Sequence, residues 1–365
     1  MPSNYKIIIS LFITLLFASC TKSNIITNQN IIIKPVNDKS GELKENILLS
    51  LALDYELNKD YKSSVFVYEK LYKEYNKYEY LVKSLYINVY IKQYQSIQNL
   101  SYDNMEKFPS KKQYLYQNYI YSSLKLKQFN EALIYAKKLI KMNNKPSNYL
   151  FLADSYYGLK DYDNALKYYK VVYDKTKNTL AMLNYTNILF NNLNKKNEAI
   201  NYLEKHLNNI SSKRLLVRYY NITNQNLKSL KLNRNIYKIT KNLSLLGNIA
   251  IQENEYDKKN VSKKEIYKKF EKSLEYRSNP IFENYYGYLL LEHNNDLKKA
   301  LKLIKKAYSS NPKNISFKDS LAYAYYKNKE YEKAYKLMKE IVKEIGLYNK
   351  EIKEHWEMIK KYKDK

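Results

Sequence analysis

Cysteine occurs once among the 365 residues, glycine five times, proline six times and histidine three times. One thiol excludes an internal disulfide and any thiolate metal cluster. Five glycines leave no material for a glycine-rich phosphate loop. Scarce glycine and proline also argue against a turn-rich β fold. The histidines are His206, His293 and His355, far apart, with no two at ligand spacing on one helix, so no metal site is expected. His206 reads as a core-edge residue, His293 as a turn residue and His355 as part of a closing helix. No serine stands in a Gly-x-Ser-x-Gly elbow. Asp161 and Asp163 form an acidic pair in a turn between helices, where aspartate serves local hydrogen bonding. The chain is therefore read as a non-enzyme with no catalytic residue and no cofactor.

What is plentiful is helix-forming and apolar material. Apolar residues make up 45% of the chain and tyrosine alone contributes 43 residues. That excludes global disorder, and the length suits two domains or one extended array. Lysine and arginine total 64 against 36 acidic residues, a net charge of +28. Such a balance favours anionic partners. The lysines are spread along the whole chain, however, which reads as the solvating residue of exposed helix faces.

The amino terminus has its own pattern. Met1 to Lys6 is short, polar and basic, and Ile7 to Phe17 is apolar except for Ser10 and Thr14. Small residues follow, in Leu16-Phe17-Ala18-Ser19-Cys20. A basic start, a short apolar core and small residues before a cut make a secretory signal over 1–19. The apolar run is too short to span a bilayer. The segment resembles the lipobox of bacterial lipoproteins, with Phe17 where that family carries an aliphatic residue. The resemblance implies cleavage before Cys20, a lipid on its thiol and an acylated amino group. Several acyl chains hold a protein stably where one does not. Residues 20–44 are polar and Asn-rich apart from Ile31 to Ile33, and read as the lipidated cysteine and a flexible tether.

Past residue 45 the pattern is helical and self-similar. From Pro146, bulky residues stand at Tyr149, Leu152, Tyr156, Tyr162, Tyr169 and Val172, and small ones at Ala153 and Ala165. The period recurs: Ala165 to Ala199 and Ala300 to Ala334 are each 34 residues, and Ala132 to Ala165 is 33. Near the end, Asn279-Pro280 opens one unit with Gly287 at a close-packing place, and Ile315 opens the next with Ala322 and Ala334. An extra residue falls around Asn294-Asn295, and a charged insertion lies around Asn254 to Lys264. Size and spacing here resemble the tetratricopeptide repeat, in which small residues let two helices approach closely.

The fold expected is all-α: a right-handed superhelical solenoid of about nine such repeats over 45–348, with a capping helix over 349–365. The best repeats are 113–145, 146–179, 180–213, 280–314 and 315–348. In that family the first helix of each repeat lines a groove. The resemblance places Leu150, Asp154 and Tyr157, then Asn184, Ile188 and Asn191, then Asn284, Tyr288, Asp319, Tyr323 and Tyr326 on that wall. Asparagine and tyrosine together suit an extended peptide or a partner helix. The family's carboxylate clamp is not visible, so a free peptide carboxylate is not the expected ligand. The function expected is a scaffold, lipid-anchored to a membrane of the bacterial cell envelope, that binds protein partners. Two readings stay open beside it: a basic solenoid binding an acidic polymer or nucleic acid, and a self-associating structural protein.

Overall fold

The structure, a computed structural model, describes residues 39–362. Cys20, the signal segment and most of the expected tether lie outside the described residues. Nineteen α-helices follow one another there, with no strand among the described residues. They are α1 (Lys39–Leu57), α2 (Tyr61–Tyr75), α3 (Tyr78–Ile91), α4 (Tyr94–Asn104), α5 (Lys112–Lys125) and α6 (Phe129–Met142). Then come α7 (Tyr149–Gly158), α8 (Tyr162–Thr176), α9 (Thr179–Asn187, continued by a π turn, Ile188–Asn192), α10 (Lys196–Lys205), α11 (Ile210–Ile222) and α12 (Asn226–Thr240). The last are α13 (Leu245–Tyr256), α14 (Lys263–Tyr276), α15 (Pro280–Glu292), α16 (Leu297–Ser310), α17 (Ile315–Lys327), α18 (Tyr331–Ile345) and α19 (Lys350–Ile359). These are nine helix pairs and one closing helix, the all-α repeat architecture expected.

The array divides into two compact units, with the division after Ala199, inside α10. In the first unit each helix packs on the next from α1 to α9. In the second, the same holds from α11 to α19, and the first helices of successive pairs, α13, α15, α17 and finally α19, also touch in turn. The small residues sit where the period demands them. Ala132, Ala165 and Ala199 in the first unit, and Ala300, Ala307, Ala322 and Ala334 in the second, are fully buried. A Cβ on Gly287 would come 2.6 Å from Cγ1 of Ile304 and 3.1 Å from the Ala300 carbonyl oxygen. Helices α15 and α16 touch there because a hydrogen stands in place of a side chain.

Turn chemistry explains how so few glycines suffice. Lys59, Lys92, Lys127, Lys160, Asn194, Asn224 and Lys329 each adopt positive φ in the turn between the two helices of a pair. That left-handed position is usually a glycine's. The pair α15/α16 carries two such residues, Asn294 and Asp296, which accommodate its extra residue. Several helices are started by side-chain caps, including Asp161, Asn279 and Asn349, each satisfying an amide that the helix leaves open. Asp161 thus caps α8, while Asp163 lies inside the first turn of that helix rather than in the loop.

One boundary differs from expectation. Helix α1 begins at Lys39, so residues 39–44 are helical rather than part of a flexible tether. Glu45 supplies a reason. Its carboxylate is buried, bonded by Lys77 Nζ at 2.6 and 2.7 Å and by the Tyr80 hydroxyl. Tyr75 also donates to the Gly41 carbonyl at 3.2 Å. These bonds hold the first turns of α1 against α2 and α3.

Candidate functional site

A cavity of about 790 Å³ opens in the second unit between α13, α15, α17 and α19. Buried Ile266, Leu289 and Ile352 give it apolar lining. Two tyrosines, Tyr285 and Tyr288 of α15, form an aromatic wall. The loop 257–262 contributes Lys258 and Val261. This is the charged insertion noted in the sequence, and it lengthens one turn so that the cavity gains a side.

Polar groups converge on this space. Asn284 lines it, while its Oδ1 atom is turned out of reach of solvent and has no hydrogen-bond partner. Asp319 and His355 meet with Nδ1 of the imidazole 3.0 Å from Oδ2, both nearly fully buried. The other imidazole nitrogen stands 3.4 Å from the Tyr288 hydroxyl. The donor atoms of Asp319, Glu351 and His355 lie within 4.8 Å of one another. Four carboxylates line the cavity, those of Glu255, Glu292, Asp319 and Glu351, against the lysines Lys258 and Lys263.

The tyrosines record the resulting field. Burial first, then the Glu351 carboxylate, pushes the Tyr288 phenol far up. Burial and Glu255, whose carboxylate takes the Tyr285 hydrogen bond, do the same to Tyr285. Tyr323 beside them is pushed up to about 12 by burial and by Glu292. Conversely, His293 falls below its ordinary value because it is desolvated and stands near Lys263. It lies at the end of α15, as expected of a turn residue, and bonds the Tyr267 hydroxyl at 2.7 Å.

The residues expected on a groove wall separate into groups. Asn284, Tyr288 and Asp319 are brought together in this cavity. Tyr323 and Tyr326 are not presented to it. Tyr323 is 7% exposed and stacks on the His355 ring at 4.3 Å. Tyr326 packs on Tyr331 and Tyr362 at 5.9 and 5.5 Å. The closing segment covers both, because the last pair must hide its apolar face somewhere. In the first unit, Leu150 and Ile188 are buried at 4% and 1% exposure, so they fill the interior rather than line an open wall. Asn191 is exposed at the π turn that ends α9. Asp154 accepts a hydrogen bond from Tyr169, Tyr157 lies 6.0 Å from the Tyr162 ring, and Asn184 is half-buried. His206, read as a core-edge residue, is half-buried against Tyr202 at 4.5 Å.

Sequence reasoning missed Tyr285, Glu292, Glu351 and the burial of His355. For Glu292 a signal existed. It stands at place 13 of the repeat opened by Pro280, one of the groove places of the resembling family. His355 lies 36 residues after Asp319, which no local motif reveals.

Fold and cavity together define a TPR-like repeat array with a groove on its first-helix face. Residues 125–206 match the family described as anaphase-promoting complex, cyclosome, subunit 3. No curated protein matches the sequence. Among solved structures, the chain is similar to the APC/C hetero-tetramer Cut9–Hcn1, with 11% identity and a TM-score of 0.42, over 95% of this chain and 81% of that one. It is also similar to c5321, a protective antigen of uropathogenic Escherichia coli strains with an SLR fold (14% identity, TM-score 0.46, 88% and 81% covered). A third is the C-terminal part of a TPR repeat-containing protein from Cytophaga hutchinsonii (15% identity, TM-score 0.42, 72% and 98% covered).

Proposed function

We propose that this chain is a lipid-anchored binding protein of the bacterial cell envelope, and that its repeat array holds an extended segment of a partner protein in the cavity of the second unit. The observation that carries the reading is the cavity itself. It is large enough for several side chains, walled by tyrosines and bordered by polar groups at the face where successive first helices meet. Tyrosine gives contact area at low conformational entropy, and asparagine can pair with a peptide backbone. The basic, apolar and small-residue sequence up to Cys20 supports the anchor. The reading as a binder of acidic polymers is less favoured, because the cavity gathers carboxylates rather than lysines.

A photo-cross-linking amino acid at position 292, in cells, tests the binding reading. A defined protein adduct is expected, reduced strongly by Tyr288→Ala. No adduct above that formed by a probe at exposed Lys70 would overturn it. Incorporation of radiolabelled palmitate, lost in Cys20→Ser, is expected of the anchor; labelling that persisted in the variant would refute it.

A further inference from the structure

We infer that this cavity selects a positively charged segment, seating a lysine or arginine side chain of the partner among Glu255, Glu292 and Glu351 and against the rings of Tyr285 and Tyr288. The inference rests on the groove reading above and adds the chemistry of the ligand.

The chain has 64 lysines and arginines for 36 acidic residues. Scattered at random, a carboxylate on such a surface would have a cation close by, and many here do: Glu253, Glu271, Glu283 and Glu45 are each paired with lysine. Glu255, Glu292 and Glu351 are different. All three are exposed at one cavity, and among the described residues none has a lysine or arginine ion-pair partner within 4.0 Å. Three unneutralised carboxylates around one concave space form a negative site on a positive molecule.

The aromatic wall is the second feature. Tyr285 and Tyr288 offer π faces to a cation, and their phenols stay protonated and neutral because burial and the nearby carboxylates raise them. An acidic segment meets four carboxylates against two lysines, Lys258 and Lys263, in the lining.

The test uses the full-length protein in detergent micelles. The probe is a fluorescein-labelled nonapeptide alternating lysine with alanine, acetylated and amidated at its ends, followed by anisotropy at low salt. The same peptide with glutamate for lysine is the counterpart. The lysine peptide is expected to bind and the glutamate peptide not, although the net charge of the protein favours the reverse. Glu292→Gln with Glu351→Gln, both at exposed positions, is expected to weaken binding at least fivefold. Glu42→Gln with Glu79→Gln, exposed in the first unit, is expected to leave it unchanged. Equal binding by the double glutamine variant, or by the glutamate peptide, would overturn the inference. So would full displacement by zinc or calcium chloride that also binds alone, which would make Asp319, Glu351 and His355 an ion site. Spermidine competing as well as the peptide would also overturn it, leaving a polyamine site. An adduct at position 292 whose contact segment lacks lysine and arginine would sink this inference and leave the groove standing. Absence of any adduct removes both.

Discussion

Replacing Asp154 by asparagine is expected to stabilise the protein at neutral pH and much less at pH 4. Asp154 is held inside the first unit, where its carboxylate accepts the Tyr169 hydroxyl and its only nearby cation is the largely desolvated Lys125. Burial outweighs both partners and raises its carboxyl from 3.8 to about 6. Well below pH 3.8 the group is protonated in folded and unfolded chains alike, and the site costs nothing. As the pH rises from 4 to 6 the unfolded chain releases its proton first, so the folded state is increasingly disfavoured. Above 6 the loss is complete, and the difference in pKa corresponds to about 3 kcal/mol. Asparagine keeps an acceptor for Tyr169 and carries no charge. Lys125 then lacks a counter-charge, so the gain at pH 7 is about 1–3 kcal/mol. Urea midpoints of both proteins from pH 4 to 7 give the quantity needed, their difference. Taking the difference removes the opposite contribution of Glu45, Glu204 and Glu271. Those groups are held below their ordinary values by hydrogen bonds, led by Lys77, Tyr220 and Lys299 respectively. They add stability above about pH 4.5 that is lost in acid. A difference that stayed flat across pH 4–7 would refute the reasoning.

Gly287→Ala is expected to lose about 1 kcal/mol, because a Cβ 2.6 Å from Cγ1 of Ile304 and 3.1 Å from the Ala300 carbonyl oxygen forces a shift that outweighs the gain in helix propensity. Gly287→Val places further atoms toward the Ala300 carbonyl and is expected to lose about 1–3 kcal/mol by thermal denaturation. Lys92→Gly and Lys160→Gly, at turns with φ of 63° in both cases, are each expected to gain up to about 1 kcal/mol, read as a raised urea midpoint. Glu253→Ala removes a buried carboxylate that meets Arg234 at 2.8 Å and Lys269 at 2.7 Å. Both cations retain partial access to water, so a loss of about 2–3 kcal/mol is expected, below that of a fully enclosed pair, and little changed by 0.5 M salt against 0.1 M.

The two kinds of residue that make this protein differ in how openly the sequence displays them. Ala165, Ala300 and Gly287 are legible because helix contact depends on side-chain size, and size at a fixed spacing survives as a pattern. That spacing, joined to the helical period where the small residues are missing, gives about nine pairs. Leu150 and Ile188 show the weakness of carrying a face from place numbers, since a modest rotation of a first helix turns a wall residue inward. Tyr323 and Tyr326 show another. Their covering partners, His355 and Tyr362, belong to a terminal segment outside the period, and a repeat template has no place for it. The cavity depends on two such departures at once: the insertion at 257–262 and the closing helix. Net charge misdirects for a related reason. A value of +28 pointed toward anionic partners, yet the cavity assembles Glu255 from one pair, Glu292 from the next and Glu351 from the cap. A sum over the chain weighs every exposed lysine equally. A site weighs the few charges that packing brings within reach of one ligand, and here four carboxylates stand against two lysines.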